Sequence, residues 1–329
     1  MSGIINVLIL IVGFFFLIKG ADIFVDGSSK IARKIGIPSV IVGLTIVSLG
    51  TSAPELAVSL ISSINGNNGI AVGNVLGSNI FNTLVVLGGT SLAMPLIIKK
   101  KLVGKDYFVN ILVIILLYIL TFGFMFSGKD GFLSRTDGII LLVCCLAYLL
   151  FLIFSTLKNK KSTSITEGER KELSSIRVLP NLFFVILGVI GIVLGGKLVV
   201  DSATNIALSI GMSEKLVGLT IVAIGTSLPE LVTSIVAALK GETEIAIGNV
   251  LGSNIFNILL ILGLSSAISP IAVAGNLFVD IIFLFVVTLI IGVLIFANKK
   301  TDIKKLNRSE GILLVLFYVA YLAFIIIRN

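Results

Sequence analysis

The sequence predicts an all-α polytopic membrane protein, with ten transmembrane helices arranged as two inverted five-helix repeats. Three observations carry this expectation. The chain of 329 residues is 57% hydrophobic and only 13% charged, whereas a soluble domain carries about 25% charged residues. Apolar runs recur from end to end, each long enough for a bilayer core that needs about 20 residues per helix. A shift of 175 residues also aligns one half of the chain on the other without a gap. Continuous runs argue against an outer-membrane barrel, whose strands are short and alternating.

The expected spans are 3–25, 37–63, 69–96, 106–127, 134–157, 178–201, 213–238, 244–270, 275–297 and 309–327. The opening MSGIINVLIL lacks the basic segment of a secretory leader and reads as the start of the first span. Spans two and seven carry GTSAPEL and GTSLPEL, and spans three and eight both carry GNVLGSNIFN. Cys144 and Cys145 are adjacent inside span five and read as packing residues, with no metal or redox pattern around them. The longest polar connection, KNKKSTSITEGERKELSSIR at 158–177, is too short for a domain. The organisation is therefore a first repeat over 1–157, a linker over 158–177 and a second repeat over 178–329, with function expected among the helices. Asn307-Arg308-Ser309 is a glycosylation sequon by pattern only.

Charge sets the orientation. Of the 25 Lys and Arg, 19 fall in alternate loops: Lys30, Arg33 and Lys34; Lys99 to Lys101 and Lys105; six in 158–177; Lys240; and Lys299, Lys300, Lys304, Lys305 and Arg308. The opposite side holds Lys129, Arg135, Lys215 and Arg328. The positive-inside rule then places both termini outside and the linker in the cytoplasm of a multi-pass cell-membrane protein. The net charge of +8 thus reads as a topology signal, and no nucleic-acid partner is expected.

Gly43 to Gly88 against Gly218 to Gly263 gives 28 identities in 46 positions, and Asp26/Asp201 and Gly36/Gly211 still correspond outside this core. Five spans per half is an odd number, so the second half enters the membrane the other way up. Inverted repeats of this kind build alternating-access transporters, with the site at the repeat interface near the midplane.

Glu55 and Glu230 fall near the middle of spans two and seven, where a charge costs at least about 2.5–3.5 kcal/mol on insertion scales. The repeated motifs contain no Lys, Arg or His to neutralise them. Lys19 and Lys197 lie near Asp22, Asp26 and Asp201 instead, which makes local pairs there the expectation. A salt bridge, a shared proton and a bound metal cation all remain open on this ground alone, and the neighbouring residues favour the cation. Ser48, Ser52, Glu55 and Ser59 lie on one helical stripe, repeated as Ala223, Ser227, Glu230 and Ser234. Pro54 and Pro229 remove a backbone donor and clash with the carbonyl of Gly50 or Gly225, so each helix should kink and free carbonyls near Thr51 and Thr226. Irregular backbone is tolerated at this depth where it lines a site.

In spans three and eight, Ser78 and Asn82 share a face, as do Ser253 and Asn257. Gly73, Gly77, Gly248 and Gly252 form small-xxx-small patterns for close helix approach. Asn74, Asn249, Asn79 and Asn254 read either as interhelical glue or as ligands. Every candidate ligand is oxygen: two carboxylates, hydroxyls, amides and carbonyls. The absence of His anywhere in the chain argues against zinc or copper and for hard cations. Ca²⁺ takes 6–8 oxygens in flexible geometry, and two carboxylates match its charge; Mg²⁺ is disfavoured because it keeps several waters. Na⁺ would use the same hydroxyls and carbonyls.

The paired GTSAPEL/GTSLPEL and GNVLGSNIFN motifs resemble the two α-repeats of the calcium/cation antiporter superfamily, and most of all its prokaryotic sodium/calcium exchangers. The resemblance implies that spans 2, 3, 7 and 8 form an ion-binding core across which the long spans 1 and 6 slide. It implies Glu55 and Glu230 as shared Ca²⁺ ligands, assisted by the carbonyls of Thr51 and Thr226. Ser52, Ser78, Ser227 and Ser253 would line flanking Na⁺ sites with the carbonyls of Ser48 and Ala223, and Asn82 and Asn257 would sit mid-core. One departure is Asn257, where several relatives, including the potassium-dependent branch, carry an acid; this argues against potassium co-transport. The large regulatory loop of eukaryotic relatives has no counterpart in this sequence.

The implied activity is exchange of Na⁺ for Ca²⁺ by alternating access. Ca²⁺, or several Na⁺, would neutralise both carboxylates and let the loaded core pass the barrier that two bare charges block. No cofactor and no obligate protein partner is expected beyond the two ions and the lipid bilayer. Calcium/proton exchange is the alternative, with protons taking the place of Na⁺, but a proton needs no cage of hydroxyls and carbonyls. A simple channel does not explain the inverted repeat, and an intramembrane enzyme lacks HExxH, His or paired Asp.

Overall fold

In a chain this apolar, backbone polar groups must be satisfied within the protein, and helices do so within one segment. The computed structural model describes residues 3–123, 130–159, 176–211, 223–298 and 301–328, and helices dominate it. In chain order the helices are α1 (Gly3–Ile35), α2 (Ser39–Thr51), α3 (Ala53–Ile64), α4 (Asn68–Ala93), α5 (Lys100–Phe122) and α6 (Arg135–Asn159). They continue with α7 (Val178–Ser209), α8 (Ala223–Thr226), α9 (Leu228–Leu239), α10 (Thr243–Ile268), α11 (Leu277–Phe296) and α12 (Arg308–Arg328).

Eight of these helices are long and apolar enough to cross a membrane; α2 and α3 qualify together as a ninth candidate bent by 50°. The seventh expected span, 213–238, falls partly on residues 212–222, which lie outside the described residues, and its remainder is α8 and α9. The expected linker 158–177 also falls largely outside them. α1 and α7 run further than the sequence spans, to 33 and 32 residues. At 1.5 Å per residue each is roughly 50 Å long, well beyond a hydrocarbon core of about 30 Å.

Burial separates an inner group from an outer one. In α10 89% of the apolar stretch is buried, and in α4 72%, against 22–33% in α1, α6, α7 and α12. The outer helices present large apolar side chains such as Phe15, Phe154, Phe183 and Ile327, the surface expected to meet lipid. α1 and α7 lie against each other at glycines: a Cβ on Gly20 would stand 2.7 Å from the Ile192 backbone nitrogen, and one on Gly188 would stand 2.7 Å from Phe24 Cβ. The backbones therefore touch, as small residues permit where no aqueous hydrophobic force drives association.

The small-xxx-small expectation holds for Gly252, whose Cβ would meet the Leu44 carbonyl at 2.6 Å, placing α10 directly on α2. At Gly73 and Gly77 a Cβ would meet no atom of the described residues within 4 Å. The residues equivalent to Gly43 and Leu44 in the other half, 218–219, are outside the described residues.

Four short strands were not expected. β1 (Leu96–Lys99) pairs antiparallel with β4 (Ile303–Leu306), and β2 (Gly131–Leu133) with β3 (Ile271–Val273). Each joins interhelical loops from different halves, so distant loops satisfy one another's backbone groups. Three or four residues per strand carry too little periodicity to read from sequence.

The expected local pairs of Lys19 with Asp22 and Asp26 are corrected. Both aspartates bind Lys240, at 2.6 and 2.7 Å. The reason is the turn after α9: Gly241 takes φ +81°, a left-handed conformation that glycine adopts without strain. This turn aims Lys240 and Glu242 together at α1. Glu242 accepts from Ser29 and pairs with Arg33 at 2.9 Å. Burial pushes the Glu242 carboxyl up, but the Ser29 hydrogen bond and the Arg33 guanidinium outweigh it and hold the group below its ordinary 4.5. A depressed pKa contributes stability that is present above the unfolded value and lost as pH falls through the folded one. The melting temperature of wild type is therefore expected to exceed that of Glu242→Gln at neutral pH. The gap should narrow as pH falls below the ordinary 4.5, which thermal unfolding across pH 7 to 3 measures.

Candidate cation site

Two broken helices build the site. Pro54 cannot donate to the Gly50 carbonyl, nor Pro229 to that of Gly225, and the helices stop where the sequence says they should. Ser52 (φ −81°, ψ 9°) separates α2 from α3, and Ser227 (φ −92°, ψ 5°) separates α8 from α9. Glu55 and Glu230 thus lie in the first turns of α3 and α9, where the partial positive charge of a helix start favours an anion.

Both glutamates are fully buried. Among the described residues no Lys or Arg pairs with either, whereas buried Asp280 holds Arg328 at 2.9 Å. The structural salt bridge is thereby excluded for the described residues. The hydrogen bonds cross between halves. Ser52 donates to Glu230 Oε1 at 2.8 Å, and Ser227 donates to Glu55 Oε1 at 3.0 Å. Ser78 and Ser253 reach the same oxygens of Glu55 and Glu230, both at 3.4 Å. The hydroxyls also touch one another, Ser227 to Ser78 at 2.9 Å and Ser52 to Ser253 at 3.1 Å. Since Ser227 contacts Glu55 and lies one turn before Glu230, the carboxylates face one shared region from opposite halves.

Among the described residues, Oε2 of both glutamates has no hydrogen-bond partner, and the same holds for both polar atoms of Asn82 and for Asn257 Oδ1. Buried polar atoms are normally bonded; four of these five are acceptor oxygens, the chemistry that suits a cation, and the fifth, Asn82 Nδ2, is a donor. Asn82 and Asn257 each open a π-helical turn, Asn82–Val86 and Asn257–Leu262. Such turns appear mostly as single bulges at functional positions. Asn257 donates to Asn79 Oδ1 at 2.9 Å, which leaves its carbonyl oxygen free to face a ligand. No cluster of three or more His, Cys, Asp or Glu occurs among the described residues, so a cation held between the two glutamates would draw its other ligands there from neutral oxygens.

The other expected residues are placed as follows. Thr51 and Thr226 are buried and end α2 and α8. The Ser48 hydroxyl donates to its own helix at Leu44, 2.9 Å away. The Ser48 carbonyl accepts the Ser52 amide at 3.0 Å and is approached by the Thr51 hydroxyl at 3.3 Å. Ala223 is the first described residue of α8, and the five residues before it, the second GLTIV, lie outside the described residues. Ser59 and Ser234, part of the sequence stripe, face Asn74 and Asn249 at 2.8 and 2.9 Å, and not the carboxylates.

Fold and site together describe a multi-pass membrane protein with a buried, oxygen-rich candidate site for a cation. The chain belongs to the sodium/calcium exchanger protein family, which matches residues 5–157 and 180–327. It is 34% identical to the sodium/calcium exchanger MaX1 of Methanosarcina acetivorans, with 97% of each chain covered. It is 37% identical to the putative antiporter CaxA of Alkalimonas amylolytica, over 94% of this chain and 95% of that one. Among solved structures it resembles the exchanger NCX_Mj soaked with 2.5 mM Na⁺ and 0.1 mM Ca²⁺. There the TM-score is 0.79 at 32% identity, covering 97% of this chain and 98% of the other. These relatives are ion exchangers and antiporters, so the chain is placed with cation antiporters and not with enzymes.

Proposed function

We propose that the protein exchanges Na⁺ for Ca²⁺ across the cell membrane by alternating access, with Glu55 and Glu230 as the shared ion ligands. The observation that carries this reading is the pair of buried carboxylates, each bonded by a serine of the other half and each with one oxygen that no described residue bonds. A desolvated Ca²⁺ neutralises both charges and takes further oxygens from the carbonyls of Thr51 and Thr226. Several Na⁺ spread over Ser52, Ser78, Ser227 and Ser253, with the carbonyls of Ser48 and Ala223, serve the same charge balance. Asn82 and Asn257 supply neutral oxygen at the centre. Occupancy by Ca²⁺ or by Na⁺ lets the core cross the membrane barrier, and an empty core with two bare charges does not.

The same reading keeps ten spans in two inverted repeats, divided at the 158–177 linker, with both termini outside. It is supported by the matched bond sets in the two halves and by the charge distribution. Cysteine labelling at introduced terminal sites in intact cells tests the orientation. For the exchange itself, proteoliposomes loaded with Na⁺ are expected to take up ⁴⁵Ca²⁺ only while an outward Na⁺ gradient exists. Uptake driven as well by an outward proton gradient without Na⁺ would replace this reading with calcium/proton exchange.

A further inference from the structure

Asn74 on α4 and Asn249 on α10 stand four residues before Ser78 and Ser253. Among the described residues neither amide bonds a carboxylate oxygen. Asn74 Nδ2 donates to the Glu55 main-chain carbonyl at 3.2 Å and to Ser59 Oγ at 2.8 Å. Asn249 Nδ2 donates to the Glu230 carbonyl at 3.3 Å and to Ser234 Oγ at 2.9 Å. The acceptor ends point the other way. Asn249 Oδ1 accepts the Thr51 hydroxyl at 3.1 Å, and Asn74 Oδ1 accepts the Thr226 hydroxyl at 3.3 Å.

We propose that Asn74 and Asn249 are positioning residues that each tie the glutamate of one half to the broken helix of the other. This inference deepens the proposed function and rests on its reading of the site as the ion site. The amide is the side chain that fits this task, since it offers donors at one atom and an acceptor at the other. Asn249 fixes the backbone of Glu230 and, through Thr51, the turn that carries Ser52, whose hydroxyl bonds Glu230. Asn74 does the same for Glu55, Thr226 and Ser227. Each brace therefore holds one serine–glutamate contact in register across the two halves. An isolated helix pair would need only the donor end. The acceptor end, used across halves, is what makes the two half-sites act as one.

Loss of one brace loosens ligand geometry without removing a ligand, and outer-shell partners of this kind are worth about 10–100-fold in metal affinity. The test is a double-mutant cycle on the full chain. Thr51→Val and Asn249→Leu are each expected to raise the half-saturating Ca²⁺ in ⁴⁵Ca²⁺ uptake by about 10-fold, and the double variant by about the same factor and not the product. Maximal uptake at saturating Ca²⁺ should change far less than the half-saturation point. Thr51→Ser, which keeps the hydroxyl that Asn249 accepts, should lose less affinity than Thr51→Val. The unbonded pair Thr51→Val with Asn74→Leu should instead multiply.

The same four-protein cycle is read without Ca²⁺ or Na⁺, from melting temperatures in Na⁺-free buffer with EDTA, where the bonded pair should again be non-additive. Multiplying effects for Thr51→Val with Asn249→Leu, or an unchanged half-saturation in all variants, would overturn the brace. A wild-type protein that takes up no Ca²⁺ would instead overturn the exchange reading, and additive melting temperatures would still decide the brace separately.

Discussion

Glu55→Gln and Glu230→Gln are each expected to abolish Na⁺-dependent Ca²⁺ uptake while leaving the protein folded. Each glutamate is fully buried and bonded by serines through Oε1 alone. Glutamine keeps that acceptor and the side-chain volume, so the cross-half contact persists. What it removes is one of two negative charges facing the site. Ca²⁺ then enters a low-dielectric region with half its charge uncompensated. If outer-shell losses already cost about 10–100-fold in metal affinity, loss of a charged ligand should exceed roughly 100-fold. The melting temperature without ions should rise or stay level, because a buried carboxylate without a cationic partner is costly in the empty protein. Calcium titration of uptake together with unfolding in Na⁺-free buffer containing EDTA measures both effects. A variant that fails only by unfolding would make these glutamates structural.

The second large effect is expected at the contact between α1 and α7. Ala is a better helix former than Gly by about 1 kcal/mol, so Gly→Ala on an open helix face stabilises. At Gly188 a Cβ would stand 2.7 Å from Phe24 Cβ and 2.8 Å from its Cα and backbone nitrogen, and at Gly20 it would stand 2.7 Å from the Ile192 nitrogen. These are backbone neighbours that cannot rotate away. Overpacking of this kind costs about 1–3 kcal/mol, so Gly188→Ala and Gly20→Ala should lower the melting temperature and transport together. Gly196, on the same helix, offers the comparison: its Cβ would meet Pro229 Cγ at 3.4 Å, an ordinary contact. Gly196→Ala should be tolerated. Thermal unfolding of the three variants in one detergent checks the order.

Much of the site was legible in the sequence because the chain states it twice. The 175-residue repeat isolates Glu55/Glu230, Pro54/Pro229 and the paired serines, and proline chemistry alone fixes the breaks at Ser52 and Ser227. Which partner each serine serves was not legible. On one helix Ser52 lies beside Glu55, yet its hydroxyl goes to Glu230, because the helix breaks at Ser52 and that turn faces the opposite half. The π turns at Asn82 and Asn257 escape periodicity analysis, since one extra residue per turn leaves an apolar pattern intact.

Asp22 and Asp26 were misassigned to Lys19 for a similar reason. Their partner Lys240 is more than two hundred residues away in sequence and arrives through a glycine turn. Asn74 and Asn249 carried a signal, their identical place in both repeats. That signal did not reveal which end of each amide reaches across. The short ladders β1–β4 and β2–β3 carried none.

The most direct test of a single cation site shared by Glu55 and Glu230 is anomalous scattering from crystals of this protein soaked in Sr²⁺ as a Ca²⁺ substitute. The account predicts one dominant peak within about 2.3–2.6 Å of oxygens from both carboxylates, the range for Ca²⁺-type ligation. A peak bound by only one glutamate, or the dominant peak lying elsewhere in the helices, would contradict it.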